Sequence, residues 1–404
     1  MADIYKASSK YNIERALQSG LKAGIIDEED KEILLLYLYE RDANVGLSLP
    51  RKRKIIGTLL GWQHLLSLSN IDGEFSKRCP IKSIKISDIY RGLDLLRTGK
   101  NQKGTNFKQN TIYDYIVIGK AFWRWLIENN LADLDKEKIK KIKTPPQDIY
   151  TKKPSDILTE EEILALIENC KYTRDKAFIS LLYETGCRIG ELADLKWNDV
   201  VFDQYGLKVY VTDFKEKGRR YVRCIMSTSY LSAWKNEVYE NPNDFIFVAL
   251  RTGGSLDYQG FRKILITAKK KAKITKNIHP HLFRTSRITH MVAKGYQESV
   301  IKRMMWDNLS TNMFDIYVKL SEEDIDSELL EKAGIVRKDE KPDPLKPIIC
   351  PRCGLQNAPT ALFCSKCGLQ ISKEIVEQAM QYDQEEILNA LTFYNQEKNK
   401  KEPQ

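Results

Sequence analysis

The sequence has no long apolar run. Its longest, Ile33 to Tyr39, is far short of the ~18 residues a membrane helix needs, so no membrane partner is expected. The first residues, Met1-Ala2-Asp3-Ile4-Tyr5-Lys6, carry neither an apolar core nor a small-residue cleavage site, and no secretion signal is read there. No internal repeat is found. Histidine is scarce, at four in 404 residues, so each one is weighed separately below as a base or ligand. Four of the eight cysteines, Cys79, Cys170, Cys187 and Cys224, are isolated, as befits thiols of a reducing cytosol.

What is present points to a folded, multidomain chain. Apolar residues make up 42 %, enough for buried cores and too many for a disordered chain. A length of 404 residues predicts two or three domains at one per ~150. Lys and Arg number 65 against 55 Asp and Glu, a net charge of +10 that favours a nucleic-acid partner over what an acidic chain would meet.

Residues 1–143 read as helical throughout. Ile112, Tyr115, Ile116, Gly119, Phe122, Trp123 and Leu126 form a 3.6-residue stripe, and the segment Ile33–Glu40, apolar on nearly all sides, predicts a buried helix. Residues 144–154, with Pro145, Pro146 and Pro154, read as a stiff linker. A second domain, 155–335, opens on Thr159-Glu160-Glu161-Glu162, a capping box. Within it Ala177 to Glu184 is helical and stops at Gly186. Leu207, Val209 and Val211 alternate with polar residues, and Arg220 to Met226 can pair back across the turn 213–219, giving a β-hairpin with a basic tip. Helices resume from His281. A charged linker, 336–346, with Pro342 and Pro344, is expected to uncouple the catalytic fold from a cysteine-paired module at 347–372 and a C-terminal amphipathic helix and tail at 373–404, whose apolar side carries Val376, Met380, Ile387, Leu391 and Tyr394.

Four stretches of the second domain carry chemistry-bearing residues. They are Gly186-Cys187-Arg188-Ile189-Gly190-Glu191, the hairpin tip Lys215-Glu216-Lys217-Gly218-Arg219-Arg220, His281-Leu282-Phe283-Arg284, and Trp306 followed by Phe314-Asp315-Ile316-Tyr317. Each alone has a plain structural explanation, such as a surface ion pair for Arg188 and Glu191. Together and in this order they resemble the tyrosine recombinase (phage integrase) family, closely over 155–335 and more loosely over 1–150.

The resemblance implies a fold and a site. It implies an all-α core-binding domain, an α+β catalytic domain that is mostly helical with a small antiparallel sheet, and a catalytic set of Arg188, Lys215, His281, Arg284, Trp306 and Tyr317. Lys217 replaces Lys215 if the hairpin is aligned two residues off. Met305-Trp306, where a Gly-His pair is more usual, and the run after Tyr317 look like archaeal integrases, several of which end in a cysteine-paired zinc module. The spacing from Trp306 to Tyr317 is slightly longer than in bacterial members.

The residue types suit attack on a DNA phosphodiester. Arg188 and Arg284 offer planar forked donors that keep their charge. The Trp306 indole adds a neutral donor. Tyr317 is the expected nucleophile, forming a 3′-phosphotyrosyl link, with His281 as its base and Lys215 as the acid for the leaving 5′-oxygen. Glu191 is assigned to positioning. No ATP and no catalytic metal are expected. The family implies double-stranded DNA as partner, a homotetramer assembled on two DNA sites, and a place at the nucleoid in the host cytoplasm, in the service of a mobile genetic element. His279 and His290 read as ordinary positions, and His64 as a satisfied core residue.

Cys350-Pro351-Arg352-Cys353-Gly354 and Cys364-Ser365-Lys366-Cys367-Gly368 form two pairs, with ten residues between Cys353 and Cys364. Two such pairs resemble zinc-ribbon knuckles, whose four thiolates suit one structural Zn²⁺ per chain. A disulfide pairing and a redox Cys-x-x-Cys are the alternatives. For the whole chain the rivals are a type IB topoisomerase-like nicking and closing enzyme, and a non-catalytic DNA-binding or regulatory protein.

Overall fold

The computed structural model describes residues 12–68, 77–101, 104–149, 153–213, 218–238, 241–320, 322–335 and 343–372. Lys215, Lys217 and the expected helix at 373–404 lie outside the described residues. The chain divides into two compact units, Asp3–Thr151 and Lys152–Gln404, the latter joined by Met1–Ala2. No helix among the described residues is long and apolar enough to cross a membrane.

The first unit is helical: α1 (Ile13–Lys22), α2 (Glu28–Val45), α3 (Leu49–Leu66), α4 (Ile86–Thr98), α5 (Gln109–Glu128) and α6 (Lys136–Lys141). Its starts are written in the sequence. Asn12 and Asp27 each accept a first-turn N–H, at 2.9 Å in both cases. The α5 stripe packs as its period requires: Ile116, Phe122, Trp123 and Leu126 are buried, and Ile112 and Tyr115 are partly buried. The Trp62 indole of α3 donates to the Tyr115 carbonyl at 2.8 Å, fixing the α3–α5 crossing. One expectation fails in α2. Ile33, Leu34, Tyr37 and Leu38 are buried, but Leu36 and Tyr39 are 53 % and 64 % exposed, so this helix keeps an outward face. Residues 144–149 are held on α5 rather than free, through paired bonds between Asn110 and Asp148 at 2.7 and 2.8 Å.

The second unit begins with α7 (Glu160–Glu168), α8 (Thr173–Thr185) and α9 (Ile189–Ala193). The capping box closes as read: Thr159 Oγ1 accepts from the Glu162 N–H, and Glu162 accepts from the Thr159 N–H. Buried from Ala177 to Thr185, α8 is the central helix. An antiparallel sheet of β1 (Val200–Asp203), β2 (Gly206–Asp213) and β3 (Gly218–Cys224) follows, with β2 in the middle. Pairing begins earlier than the sequence suggested, with Asp213 opposite Gly218 and Val211 opposite Arg220. Then come α10 (Ser227–Val238), α11 (Tyr258–Lys271), α12 (Pro280–Ala293), α13 (Glu298–Trp306), α14 (Met313–Tyr317) and α15 (Glu322–Lys332). The Glu184 carboxylate accepts from the N–H groups of Ile225, Met226 and Ser227 at 2.7 to 3.0 Å, and so pins the base of the hairpin to α8.

The cysteine module carries a short pair, β4 (Ile348–Ile349) and β5 (Gln356–Asn357). It is tied to the rest of its unit. Lys294 joins Glu160 at 2.7 Å and Asp343 at 2.8 Å, and the Tyr230 hydroxyl lies 3.4 Å from Thr360 Oγ1.

Candidate active site and metal centre

The site starts from a turn. After α8 the chain reverses at Gly186 with φ 57°, and a Cβ there would stand 2.7 Å from the Met305 sulfur. Backbone sign and space both demand glycine. The turn delivers Arg188 to the N-cap of α9. Its N–H donates to Glu191 Oε2 at 2.9 Å and its Nη1 to Oε1 at 2.6 Å. A second guanidinium meets the same carboxylate: Arg220 Nη2, from β3, donates to Oε2 at 2.8 Å.

Proline at the first position of α12 starts the helix that carries His281 and Arg284. Arg284 is 1 % exposed. Its Nη1 donates to the Gly186 carbonyl at 2.7 Å and its Nη2 to the Met305 carbonyl at 2.6 Å, which ties α12 to the turn before Arg188 and to the end of α13. The guanidinium carbon lies 4.9 Å from the Trp306 ring centroid and 5.7 Å from that of Tyr317. Burial pushes Arg284 down to about 10, with Glu191 opposing and Arg220 and Arg188 adding to the shift. It stays charged at neutral pH.

Tyr317 closes α14 and is buried. Its hydroxyl is 2.8 Å from His281 Nε2. The ring packs edge-on against His281 and Trp306, with centroids 5.1 and 5.5 Å away. Burial raises the phenol pKa, and the nearby Arg284 and Arg188 charges oppose that rise. Thr289 of α12 fixes the backbone on both sides: its Oγ1 donates to the Tyr317 carbonyl at 3.3 Å and accepts from the Lys319 N–H at 3.2 Å.

Arg188, His281, Arg284, Trp306 and Tyr317 therefore converge from one turn and three helices. In the sequence Arg220 stands only as part of the basic hairpin tip. The signal that singles it out is phase: it shares the buried face of β3 with Val222 and Cys224, a position where a charge is out of place. His279 caps α12, as an ordinary position would. His290 does more: its Nδ1 is 2.8 Å from the Tyr183 hydroxyl, which also donates to Glu160 at 3.1 Å. His64 is half-buried with Nδ1 lacking a hydrogen-bond partner, so it is not the satisfied core residue expected.

The four sulfurs of Cys350, Cys353, Cys364 and Cys367 lie within 4.8 Å of one another. Cys350 and Cys367 are 3.6 Å apart, and Cys353 and Cys364 are 3.5 Å apart. These gaps are far beyond the ~2.0 Å of a disulfide. They approach the ~3.8 Å edge of a tetrahedron with ~2.3 Å zinc–sulfur bonds. The two knuckles share one backbone design: the Gly354 and Gly368 N–H groups donate to the Cys350 and Cys364 carbonyls, both at 2.9 Å.

Residues 156–324 match the phage integrase family and residues 349–371 a zinc-ribbon domain. A tyrosine recombinase of Thermosipho africanus (strain TCF52B) is 29 % identical over 245 residues, 59 % of this chain and 82 % of that one. The chain belongs to the tyrosine recombinase family. Tyrosine recombinase XerC of Bacillus subtilis (strain 168) is 28 % identical over 247 residues, covering 58 % of this chain and 77 % of the relative. Transposase A from transposon Tn554 of Staphylococcus aureus (strain N315) is 25 % identical over 308 residues, 71 % and 80 % of the two chains. Among solved structures, the XerH site-specific recombinase bound to a palindromic difH substrate, a post-cleavage complex, matches with a TM-score of 0.53 at 17 % identity, covering 71 % of this recombinase and 81 % of that chain. A lambda integrase dimer bound to a COC′ core site matches with a TM-score of 0.53 at 15 % identity, covering 71 % and 76 %. These two show the shared fold.

Proposed function

We propose that this recombinase breaks and rejoins double-stranded DNA at specific sites through a 3′-phosphotyrosyl intermediate. The observation that carries the reading is the Tyr317 hydroxyl, 2.8 Å from His281 Nε2 and beside the buried Arg284 guanidinium. His281 takes the phenol proton as the Tyr317 oxygen attacks phosphorus. The bond from phosphorus to the 5′-oxygen breaks, and Lys215 supplies the proton that this oxygen needs. Arg188 and Arg284 stabilise the charge that grows on the non-bridging oxygens, usually the largest catalytic term. Trp306 packs the tyrosine in place and offers its indole N–H to the phosphate. Reversal with a different 5′-hydroxyl rejoins the strand. The phosphotyrosine keeps the bond energy, so the cycle needs no ATP.

Recombination between two DNA sites takes four protomers, and we assign a homotetramer assembled on DNA. The net charge of +10 suits binding to phosphate and implies that affinity falls steeply with salt. One structural Zn²⁺ per chain fits Cys350, Cys353, Cys364 and Cys367, and holds together a module too small to rely on a core. The setting is the host cytoplasm and a mobile genetic element, of the archaeal branch on the strength of Met305-Trp306. The test is a nicked suicide substrate that traps the covalent adduct on a denaturing gel. An adduct to the 3′ side of the break is expected, and none, or one on the 5′ side, overturns the reading.

A further inference from the structure

We propose that Arg220 is a positioning residue of this active site: it orients the Glu191 carboxylate that holds Arg188, and thereby locks the hairpin to α9. The inference rests on the cleavage reading above.

Glu191 is the hub. One oxygen takes Arg188 Nη1 at 2.6 Å, and the other takes the Arg188 N–H at 2.9 Å and Arg220 Nη2 at 2.8 Å. Arg188 alone could hold this carboxylate in more than one rotamer. The second guanidinium, arriving from another element, leaves it one. Each Glu191 oxygen then has its own arginine, and the Arg188 fork is set by a buried partner rather than by solvent.

Stability alone does not explain Arg220. The residue is 3 % exposed, its Nε has no acceptor, and its other near neighbour is the Cys187 sulfur at 3.9 and 4.0 Å. A buried cation so poorly satisfied is costly, and an apolar side chain like its face-mates Val222 and Cys224 would serve the core better. What it does supply is a rigid link from β3 to α9 across 29 residues of sequence. Strand β3 and the turn that delivers Arg188 to α9 are held in one register by it. Three arginines around one carboxylate also leave the pocket with an excess of positive charge, which suits a phosphate gaining negative charge.

The experiment compares two suicide substrates, one with an ordinary scissile phosphodiester and one with a methylphosphonate there, using the full chain. The methyl group replaces one non-bridging oxygen and its charge, so less charge is left for Arg188 to stabilise and a residue acting through Arg188 matters less. Arg220→Met is expected to slow adduct formation on ordinary DNA on the order of 10- to 100-fold, the usual scale for a supporting residue. On the methylphosphonate it should come within about threefold of the unmodified protein, as Arg188→Ala should, because one charged non-bridging oxygen fewer is left to stabilise. A role confined to holding the fold would give the same loss on both substrates, and that result, or no loss on ordinary DNA, overturns the inference. If Arg220→Met does not fold, Arg220→Lys, which keeps the cation but not the fork, decides by the same comparison. Absence of adduct from the unmodified protein overturns the cleavage reading and this inference with it. A normal adduct there, with a loss in the variant that ignores the substrate, overturns this inference alone.

Discussion

The Tyr317 hydroxyl and His281 Nε2 stand 2.8 Å apart although 36 residues separate them in the chain. The contact joins the end of α14 to the first turn of α12. A buried phenol is harder to ionise than a free one, and Tyr317 is pushed in that direction by its burial. A base within hydrogen-bond reach is therefore what the chemistry requires. Tyr317→Phe removes one oxygen and keeps the ring that packs on Trp306. It should abolish the covalent adduct and leave DNA affinity within a few fold in a gel-shift titration. An adduct of normal yield would move the nucleophile elsewhere.

The two arginines differ in setting. Arg188 is anchored on a carboxylate, and Arg284 on two backbone carbonyls. Lysine in place of either keeps the charge but loses the planar fork. Arg188→Lys and Arg284→Lys should each slow adduct formation by ~10²-fold or more, the scale of a lost oxyanion donor. In Arg284→Lys a single ammonium cannot reach both the Gly186 and the Met305 carbonyls, so a lower melting temperature should accompany the slower cleavage. Cleavage at the normal rate by either variant would remove that residue from the catalytic set.

His290 gives the unit an acid-sensitive joint. Burial lowers its pKa; Glu160 and Glu161 oppose the shift, while Lys294 and Arg287 add to it. The neutral ring meets the Tyr183 hydroxyl at 2.8 Å. The unfolded chain takes up this proton first, near pH ~6.5, and the native state only at lower pH. Native stability from this group is therefore complete above ~6.5 and is lost as pH falls through the lowered native value. Tm at pH 7.5 and 5.5 should drop less in His290→Asn than in the unmodified protein, with a difference on the order of a few degrees. Equal drops would mean that the acid loss comes from the carboxylates instead.

What the sequence revealed follows the range of the interactions. Arg188 with Glu191, and His281 with Arg284, sit at local spacings, so their placement on turn and helix could be read directly. The Thr159 capping box and the Gly186 stop were legible for the same reason. Arg220 was not, because its partner Glu191 is 29 residues away and the contact depends on the register that sets Arg220 opposite Val211. The outward placement of Leu36 and Tyr39 was hidden too, since an apolar run does not say which face the neighbouring helices leave open. α11 escaped the reading although Phe261, Ile264, Leu265 and Ala268 keep a helical period. Its stripe is short and runs into Lys269, Lys270 and Lys271.

The cysteine module is fastened to the catalytic fold, against expectation. Read from sequence, 336–346 was a stretch that should uncouple the two. Its described part does the opposite, for Asp343 pairs with Lys294 and Leu345 is buried, and in the module itself Thr360 meets Tyr230. A cavity of about 1110 Å³ lies between the two, lined by Met226, Met291 and Met304 on one side and Leu345, Pro347 and Ile349 on the other. Cleavage and stability should therefore respond differently to loss of the module. Arg284 is held by the Gly186 and Met305 carbonyls and Tyr317 by His281, all outside the module. A chain stopped after Lys341 should still form the adduct on a suicide substrate at a rate close to normal. It should melt lower, by about 2 to 8 °C, because an ion pair worth at most ~1 kcal/mol and the burial of Leu345 are lost together. Chelation of the full chain should reproduce the stability loss and remove one zinc mass from the native mass spectrum, since the fold of so small a module depends on its metal. A truncated chain that binds DNA and melts normally but cannot cleave would place the ribbon in the active site, and the assignment of this module to stability would be wrong.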